Sequence, residues 1–271
     1  MTDTKNNPHI NVLWTGGLDS SYRICELSRL NVTVRPIYVK DAGRHSTNKE
    51  LAAMNIIVAL LMRHPDTRFN LLPIFVIDKN EIEKDVEITE SYNILSERYR
   101  LGSQYDFLAR LANQLNEDLE IGATFDPRGK IARSIYGEGA VPYQDKTSDI
   151  ELEYLNIDFS EASLDIKKIF QRLKMPISLF HITKTAEYSR LCEMGLKEVA
   201  DNTWFCHDPV MGFTCGMCNP CKDALHEGMA WRVSKTGFLL GLFRYVIRKI
   251  KRITTIILVY VKSLFARISL S

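Results

Sequence analysis

Residues 10–24 read Ile-Asn-Val-Leu-Trp-Thr-Gly-Gly-Leu-Asp-Ser-Ser-Tyr-Arg-Ile, and no other stretch restricts the fold as much. The apolar run 10–14 reads as a buried parallel strand. Gly16 and Gly17 break it, and a helical pattern opens at Ser20 and Ser21. A strand, a tight glycine turn and a helix start together make an anion site. The turn amides point outward, and the helix N-terminus carries partial positive charge. Glycine is needed where a Cβ would keep the backbone away from an oxyanion. Thr15 and Ser20 add hydroxyl donors. Asp19 beside an anion needs its own explanation: it either holds Mg²⁺ or caps the helix. The lysine of G-x-x-x-x-G-K-[ST] is missing, and the pattern is not G-x-G-x-x-G. The plain alternative is an ordinary strand–turn–helix with a Gly-Gly turn.

The strands and helices that follow agree with an open α/β sheet. Runs 32–39 and 71–77 read as the second and third strands, with apolar residues at helical spacing over 49–62 between them. The polar loop 41–47 carries Gly43, Arg44 and His45. Strand–helix–strand–helix–strand predicts an α/β fold, a doubly wound, mostly parallel sheet of Rossmann-like type. Its ligands lie at the carboxyl ends of the strands, where the 16–20 turn sits. Further on, 81–96 is an acidic surface helix or excursion, and 103–115 is an amphipathic helix with Phe107, Leu108, Leu111 and Leu115 on one stripe. A fourth strand is expected over 119–124. A glycine-rich loop follows over 126–139, with Arg128, Lys130 and Arg133 either meeting an anionic substrate or simply solvated. Helices are expected over 150–170 and over 183–194, the second stopped by Gly195, with a short strand over 177–181.

Cys206, Cys215, Cys218 and Cys221 form C-x8-C-x2-C-x2-C, with Gly212, Gly216 and Pro220 supplying turns. Four thiolates close a tetrahedral Zn²⁺ site of a structural kind; a cubane iron–sulfur cluster uses the same ligand count. Four of the six cysteines crowd into this one segment, which suits a metal site in a reducing cytoplasm better than a disulfide framework. Cys25 and Cys192 fall on helical faces and read as core. The N-terminus is polar and is no signal peptide.

Two segments, taken with the first, carry a resemblance. Residues 15–20 are similar to the S-G-G-x-D-S loop of the PP-loop ATP pyrophosphatases, with Thr15 in place of Ser. Thr203-Trp204-Phe205-Cys206 followed by Cys215-Gly216-Met217-Cys218-Asn219-Pro220-Cys221 closely resembles the zinc element of the 7-cyano-7-deazaguanine synthases within that superfamily. Pro176 through Lys184-Thr185-Ala186-Glu187-Tyr188 to Gly195, and 119–125 followed by Asp126, resemble that family's intervening segments, all in the family's order. The resemblance implies an ATP-dependent ligase that adenylates a 7-carboxy-7-deazaguanine-like carboxylate for attack by ammonia, giving amide and then nitrile, with AMP and pyrophosphate released. It implies ATP, Mg²⁺ and Zn²⁺ as the small-molecule complement and a queuosine-type pathway as the setting. Asp19, Ser20 and Lys184 would be catalytic, and Trp14, Thr15, Gly16, Gly17, Leu18, Asp19, Ser20 and Ser21 would bind nucleotide. The chain departs from the family at Asp126-Pro127-Arg128-Gly129-Lys130-Ile131, which lacks the Tyr and second Asp of the family's substrate loop, and at Phe205 and His207. A PP-loop amidotransferase for a sugar or peptide carboxylate, or a module recruited into phage defence, are the alternatives this leaves.

Formal net charge is +2, which argues against direct nucleic-acid binding. The charge is uneven. From residue 237 onward stand Arg244, Arg248, Lys249, Lys251, Arg252, Lys262 and Arg267 with no acidic residue, seven cations that leave −5 on the rest of a +2 chain. The uncharged run 253–261 has nine residues, too short to span a bilayer, which takes ~20. The segment 238–270 is either a basic amphipathic helix lying on an anionic membrane surface, such as the inner membrane, or a homodimerisation helix. The expected organisation is thus a nucleotide-binding domain over 1–200, a zinc element over 201–236 and this extension over 237–271.

Overall fold

The computed structural model describes residues 7–123, 128–144, 152–180 and 182–268. Thr124, Phe125, Asp126, Pro127, Ile150, His181 and residues 269–270, on which parts of the expectations fall, lie outside the described residues. The chain divides into two compact units, Met1–Trp204 and Phe205–Ser271.

The first unit is α/β. It runs β1 (His9–Leu13), α1 (Leu18–Ser28), β2 (Thr33–Lys40), α2 (Thr47–Arg63), β3 (Asn70–Leu71), β4 (Phe75–Asp78), α3 (Val86–Tyr99), α4 (Gln104–Leu115) and β5 (Leu119–Glu120). Then come α5 (Lys130–Gly137), β6 (Val141–Gln144), β7 (Tyr154–Asp158), α6 (Leu164–Phe170), β8 (Leu173–Pro176), α7 (Lys184–Glu193) and α8 (Lys197–Asn202). Among the described residues the sheet has eight strands in the order β3-β2-β1-β5-β8-β7-β6, with β4 pairing further along β2. Pairings from β3 and β4 through β8 are parallel, and β7 and β6 add an antiparallel edge. This is the mostly parallel, Rossmann-like sheet the sequence predicts.

Residues alternate between the two faces of each strand. On β2, Ile37 and Val39 join the core cluster built from α3, α4, α5 and α6, while Tyr38 reaches Glu50 of α2. The helices α1, α2, α7 and α8 pack among themselves. The chain leaves β1 toward β2 on one side and returns as β5 on the other, so the carboxyl ends of β1 and β5 flank a topological switch point.

Four expectations change. The strand over 71–77 is two short strands, because Pro73 cannot donate to the β2 ladder. The loop over 126–139 contains α5, whose Ala132, Ser134 and Ile135 are buried behind an N-cap at Gly129. The long helix over 150–170 is instead β7, with Leu155 buried, and α6, started by Ser163 accepting from the Ile166 amide. The apolar content there served a period-two strand and a short helix, which one continuous stripe had merged. The strand over 177–181 is displaced: β8 pairs with β5 at Leu173 and Lys174 and with β7 at Met175 and Pro176, where it ends, and a 3₁₀ turn, Ile177–Leu179, follows.

In the second unit, a bridge between Val210 and Phe213 precedes α9 (Asn219–His226). A 3₁₀ turn, Ala230–Arg232, leads into α10 (Lys235–Ile268). The first turns of α10 lie so close to the cysteine loop that a Cβ on Gly237 or Gly241 would run into the carbonyls of Thr214 and Cys215. Among the described residues no helix is long and apolar enough to cross a membrane.

Candidate functional site

The glycine turn sits at the carboxyl end of β1. Trp14 is fully buried; its amide donates to the Ile37 carbonyl at 2.8 Å and its indole Nε1 to Ser21 Oγ at 2.9 Å. These bonds fix the turn from below. Gly16 has φ +69°, and a Cβ there would lie 2.9 Å from the Glu50 carbonyl and 3.1 Å from Met54. Both the backbone angle and the packing against α2 therefore demand glycine. The Gly16 carbonyl accepts from the Trp204 amide at 2.8 Å.

Gly17, extended at φ −75° and ψ 167°, is the N-cap of α1, and no side chain caps the helix there. The first free helix amides therefore face the turn. Ser20 Oγ lies 3.4 Å from the Thr15 amide, from Thr15 Oγ1 and from the Gly17 carbonyl. Leu18 is buried beneath. Asp19 projects from the first turn of α1 and forms an ion pair with Lys184, the first residue of α7. Lys184 Nζ also lies 3.7 Å from Glu187 Oε2, a carboxylate almost wholly buried. The Asp19 and Lys184 side chains remain about a third exposed, at 37% and 32%. Residues 165 positions apart are thus brought to one helix N-terminus: two hydroxyls, a lysine and a partly exposed carboxylate.

Three clusters beside the turn escaped sequence reasoning. Glu50, buried on α2, accepts from Tyr38 at 2.7 Å, Ser46 at 2.7 Å and Arg44 at 3.3 Å. Burial first, and the Glu50 carboxylate second, push the Tyr38 hydroxyl up to about 12. Lys49 lies 5.5 Å from the Trp204 ring centroid, the same residue whose amide holds Gly16. On the other side, Arg23 of α1 and Glu120 of β5 form a buried pair at 2.7 Å, joined by Tyr154 at 2.7 Å. A legible signal existed for this last cluster: Arg23 stands between Tyr22 and Ile24, and Glu120 between Leu119 and Ile121, each a charge inside an apolar run. Arg128, Lys130 and Arg133 stand at the start of α5.

In the second unit, one ligand atom from each of Cys206, Cys215, Cys218 and Cys221 lies within 4.8 Å of all the others. A tetrahedral ion with Zn–S bonds of about 2.3 Å needs sulfurs about 3.8 Å apart, and Cys206 and Cys218 are at 3.9 Å. Backbone amides already face the sulfurs. Cys215 donates to Cys206 at 3.2 Å, and Met217 and Cys218 donate to Cys215 at 3.4 and 3.3 Å. Such donors stabilise thiolates. Among the sulfurs themselves, hydrogen bonding from Cys206 and Cys221 pulls the Cys218 thiol down, and the same sharing pushes the Cys206 and Cys221 thiols up. The donor set fits zinc, as four closed sulfur ligands with no open position. Of the other two cysteines, Cys25 is fully buried in the core, while Cys192 is half-buried.

No protein-family model matches the chain, and no curated protein matches it.

Proposed function

We propose that the chain is an ATP-dependent C–N ligase of the PP-loop type, divergent from the 7-cyano-7-deazaguanine synthases. The observation that carries this reading is the meeting of Lys184 with Asp19 at the open N-terminus of α1, on the switch point of a parallel sheet. A helix N-terminus with uncapped amides favours an anion, and a mobile ammonium within reach can follow charge as it develops.

In this reading a carboxylate oxygen attacks the α-phosphorus of ATP, and the bond to the α,β-bridging oxygen breaks. Pyrophosphate leaves with that oxygen's electron pair. The amides of Leu18, Asp19 and Ser20, with the Thr15 and Ser20 hydroxyls, hold the departing group. Lys184 passes from Asp19 to the phosphates and offsets the developing charge. Asp19, so released, is the carboxylate available to Mg²⁺, which when bound screens the triphosphate. Ammonia then attacks the acyl carbon and AMP leaves.

The test is ATP–pyrophosphate exchange against a panel of carboxylates. Lys184→Ala should lower exchange by roughly 10²-fold, the scale of losing one charge-stabilising donor. Release of ADP and phosphate, or full exchange in Asp19→Ala, would overturn the assignment. The basic start of α5, where the family has a base-reading loop, favours a second reading: an amidotransferase acting on another carboxylate. A sugar or peptide acid that supports exchange while 7-carboxy-7-deazaguanine does not would select it.

A further inference from the structure

The helix α10 carries a stripe with its own arithmetic. Leu239, Phe243, Val246, Ile250 and Ile253 follow one another at steps of four, three, four and three, and the sequence continues the alternation at Ile257, Tyr260 and Leu264. That is an unbroken heptad pattern over 26 residues, about 39 Å of helix at 1.5 Å per residue. Every described member is exposed: Leu239 66%, Phe243 67%, Val246 45%, Ile250 57% and Ile253 50%. Five large apolar side chains in one exposed row need a partner.

We propose that this partner is a second copy of the chain, with α10 forming a parallel coiled coil in which Phe243, Ile250, Ile257 and Leu264 occupy a positions and Leu239, Val246, Ile253 and Tyr260 occupy d positions. The inference is independent of the chemistry proposed for the first unit.

Three observations select this occupant. A helix lying on lipid needs a broad apolar face, but nothing requires its period to be 3.5 rather than 3.6. Second, the flanking positions suit self-pairing. In a parallel pair each g position meets the e position of the partner's next heptad, which sets Leu242 against Ile247, Lys249 against Thr254 and Ile256 against Val261. The remaining cations of this stretch, Arg244, Arg248, Lys251, Arg252 and Lys262, fall at b, c and f, so no like charges face each other. Third, the basic face is partly committed within its own unit. Arg244 and Arg248 both pair with the Asp208 carboxylate at 2.8 Å, and Arg244 also donates to the Asp208 and Pro209 carbonyls. Those two cations hold the helix to the cysteine element instead of waiting for anionic headgroups.

The experiment is the solution mass of the zinc-loaded full chain by light scattering at tens of micromolar, at low and high salt. A multiple of 31.1 kDa that persists at high salt is expected. Ile250→Glu with Ile253→Glu should return the mass to a single chain. Thr255→Glu, at an f position, should leave the multiple intact. Unchanged helicity and zinc content would show that the double variant folds, and Val246→Glu serves as a second variant on the same stripe. Val246→Cys should add a disulfide-linked species under mild oxidation beyond that of the unaltered chain, because a d position meets its own counterpart in a parallel coil. A monomer at both salts, a multiple that survives both variants, or a monomer that instead floats with phosphatidylglycerol vesicles would each overturn the proposal. Absence of the added species would overturn the parallel arrangement.

Discussion

The glycine turn of the first unit and the cysteine turn of the second use one backbone device for opposite ends. Gly16 and Gly216 share φ +69°. Each leads to an extended N-cap, Gly17 at −75° and 167°, and Cys218 at −74° and 162°, and each N-cap opens a helix. The amides so exposed seek electron-rich atoms. In the second unit they find them within the chain, since Cys215, Met217 and Cys218 donate to cysteine sulfurs. In the first unit no side chain caps the helix, and Asp19 in its first turn is paired with Lys184. One nest is closed on cysteine sulfurs of its own loop; the other opens a helix that no side chain caps.

The comparison breaks most sharply if the closed nest does not depend on metal. Among the described residues, the second unit buries little apolar surface beyond Met229, Val233 and its cysteines. Structural zinc contributes ~10–16 kcal/mol of apparent binding energy in small elements of this kind. Cys218→Ser, or chelation of the full chain, should therefore unfold the region from Phe205 onward while the first unit keeps its own cooperative transition. Limited proteolysis followed by mass spectrometry would show this. A second unit that stays protected without zinc would make its turn an ordinary packed loop.

The open nest, by contrast, should depend on buried pairs. Arg23 and Glu120 are 5% and 2% exposed and hold α1 to β5 beside the turn. Arg23→Met leaves Glu120 buried with Tyr154 as its remaining polar partner, at a cost of about 3–5 kcal/mol. Adding Glu120→Leu should recover much of that loss, because replacing both charges removes the uncompensated one. Urea midpoints would measure both, and equal losses in the single and double variants would argue against the pair. A smaller effect is expected at the turn itself. Gly16→Ala faces the left-handed penalty of roughly 1–2 kcal/mol and a carbonyl at 2.9 Å. It should depress ATP–pyrophosphate exchange more than it lowers stability, whereas Gly216→Ala, which meets Phe238, should do the reverse.

What the sequence makes legible follows the same division. Local signals were read well: the strand–turn–helix at 10–24, the tetrad spacing, and Thr183 as the start of α7, where its hydroxyl accepts from the Ala186 amide. Each is encoded within a few residues. The edge strands β6 and β7 were missed because their pairing is long-range and their apolar content is thin, with Leu155 as the buried anchor of β7. The helix α5 was hidden by the glycines on both sides of it. Glu50 and its partners were invisible for another reason: a carboxylate at the start of an amphipathic helix looks solvated until the fold brings Tyr38 and Arg44 to it.

That cluster supplies the mildest way to sharpen the contrast, since it supports the open nest from behind: the Glu50 carbonyl abuts Gly16, and its carboxylate holds Tyr38. Tyr38 ionises near 10 when unfolded and is pushed up to about 12 in the fold, by burial and then by Glu50. The folded state therefore favours the neutral phenol. The stability this contributes is fully present below pH 10 and is lost as pH rises through about 12. Tyr38→Phe removes one hydrogen bond to a carboxylate that retains Ser46 and Arg44, so near pH 8 it should cost only ~1–2 kcal/mol. Its stability should then fall less steeply with pH above 10 than that of the unaltered chain. Some alkaline loss remains, because Tyr22, Tyr105 and Tyr154 are also held neutral by burial. Urea midpoints taken from pH 8 to pH 11 provide the comparison. An alkaline slope as steep as that of the unaltered chain would show that Tyr38 does not carry its share of the titration. A fall in exchange of more than a few fold at pH 8 would show that the Glu50 cluster does more than hold α2 against Gly16.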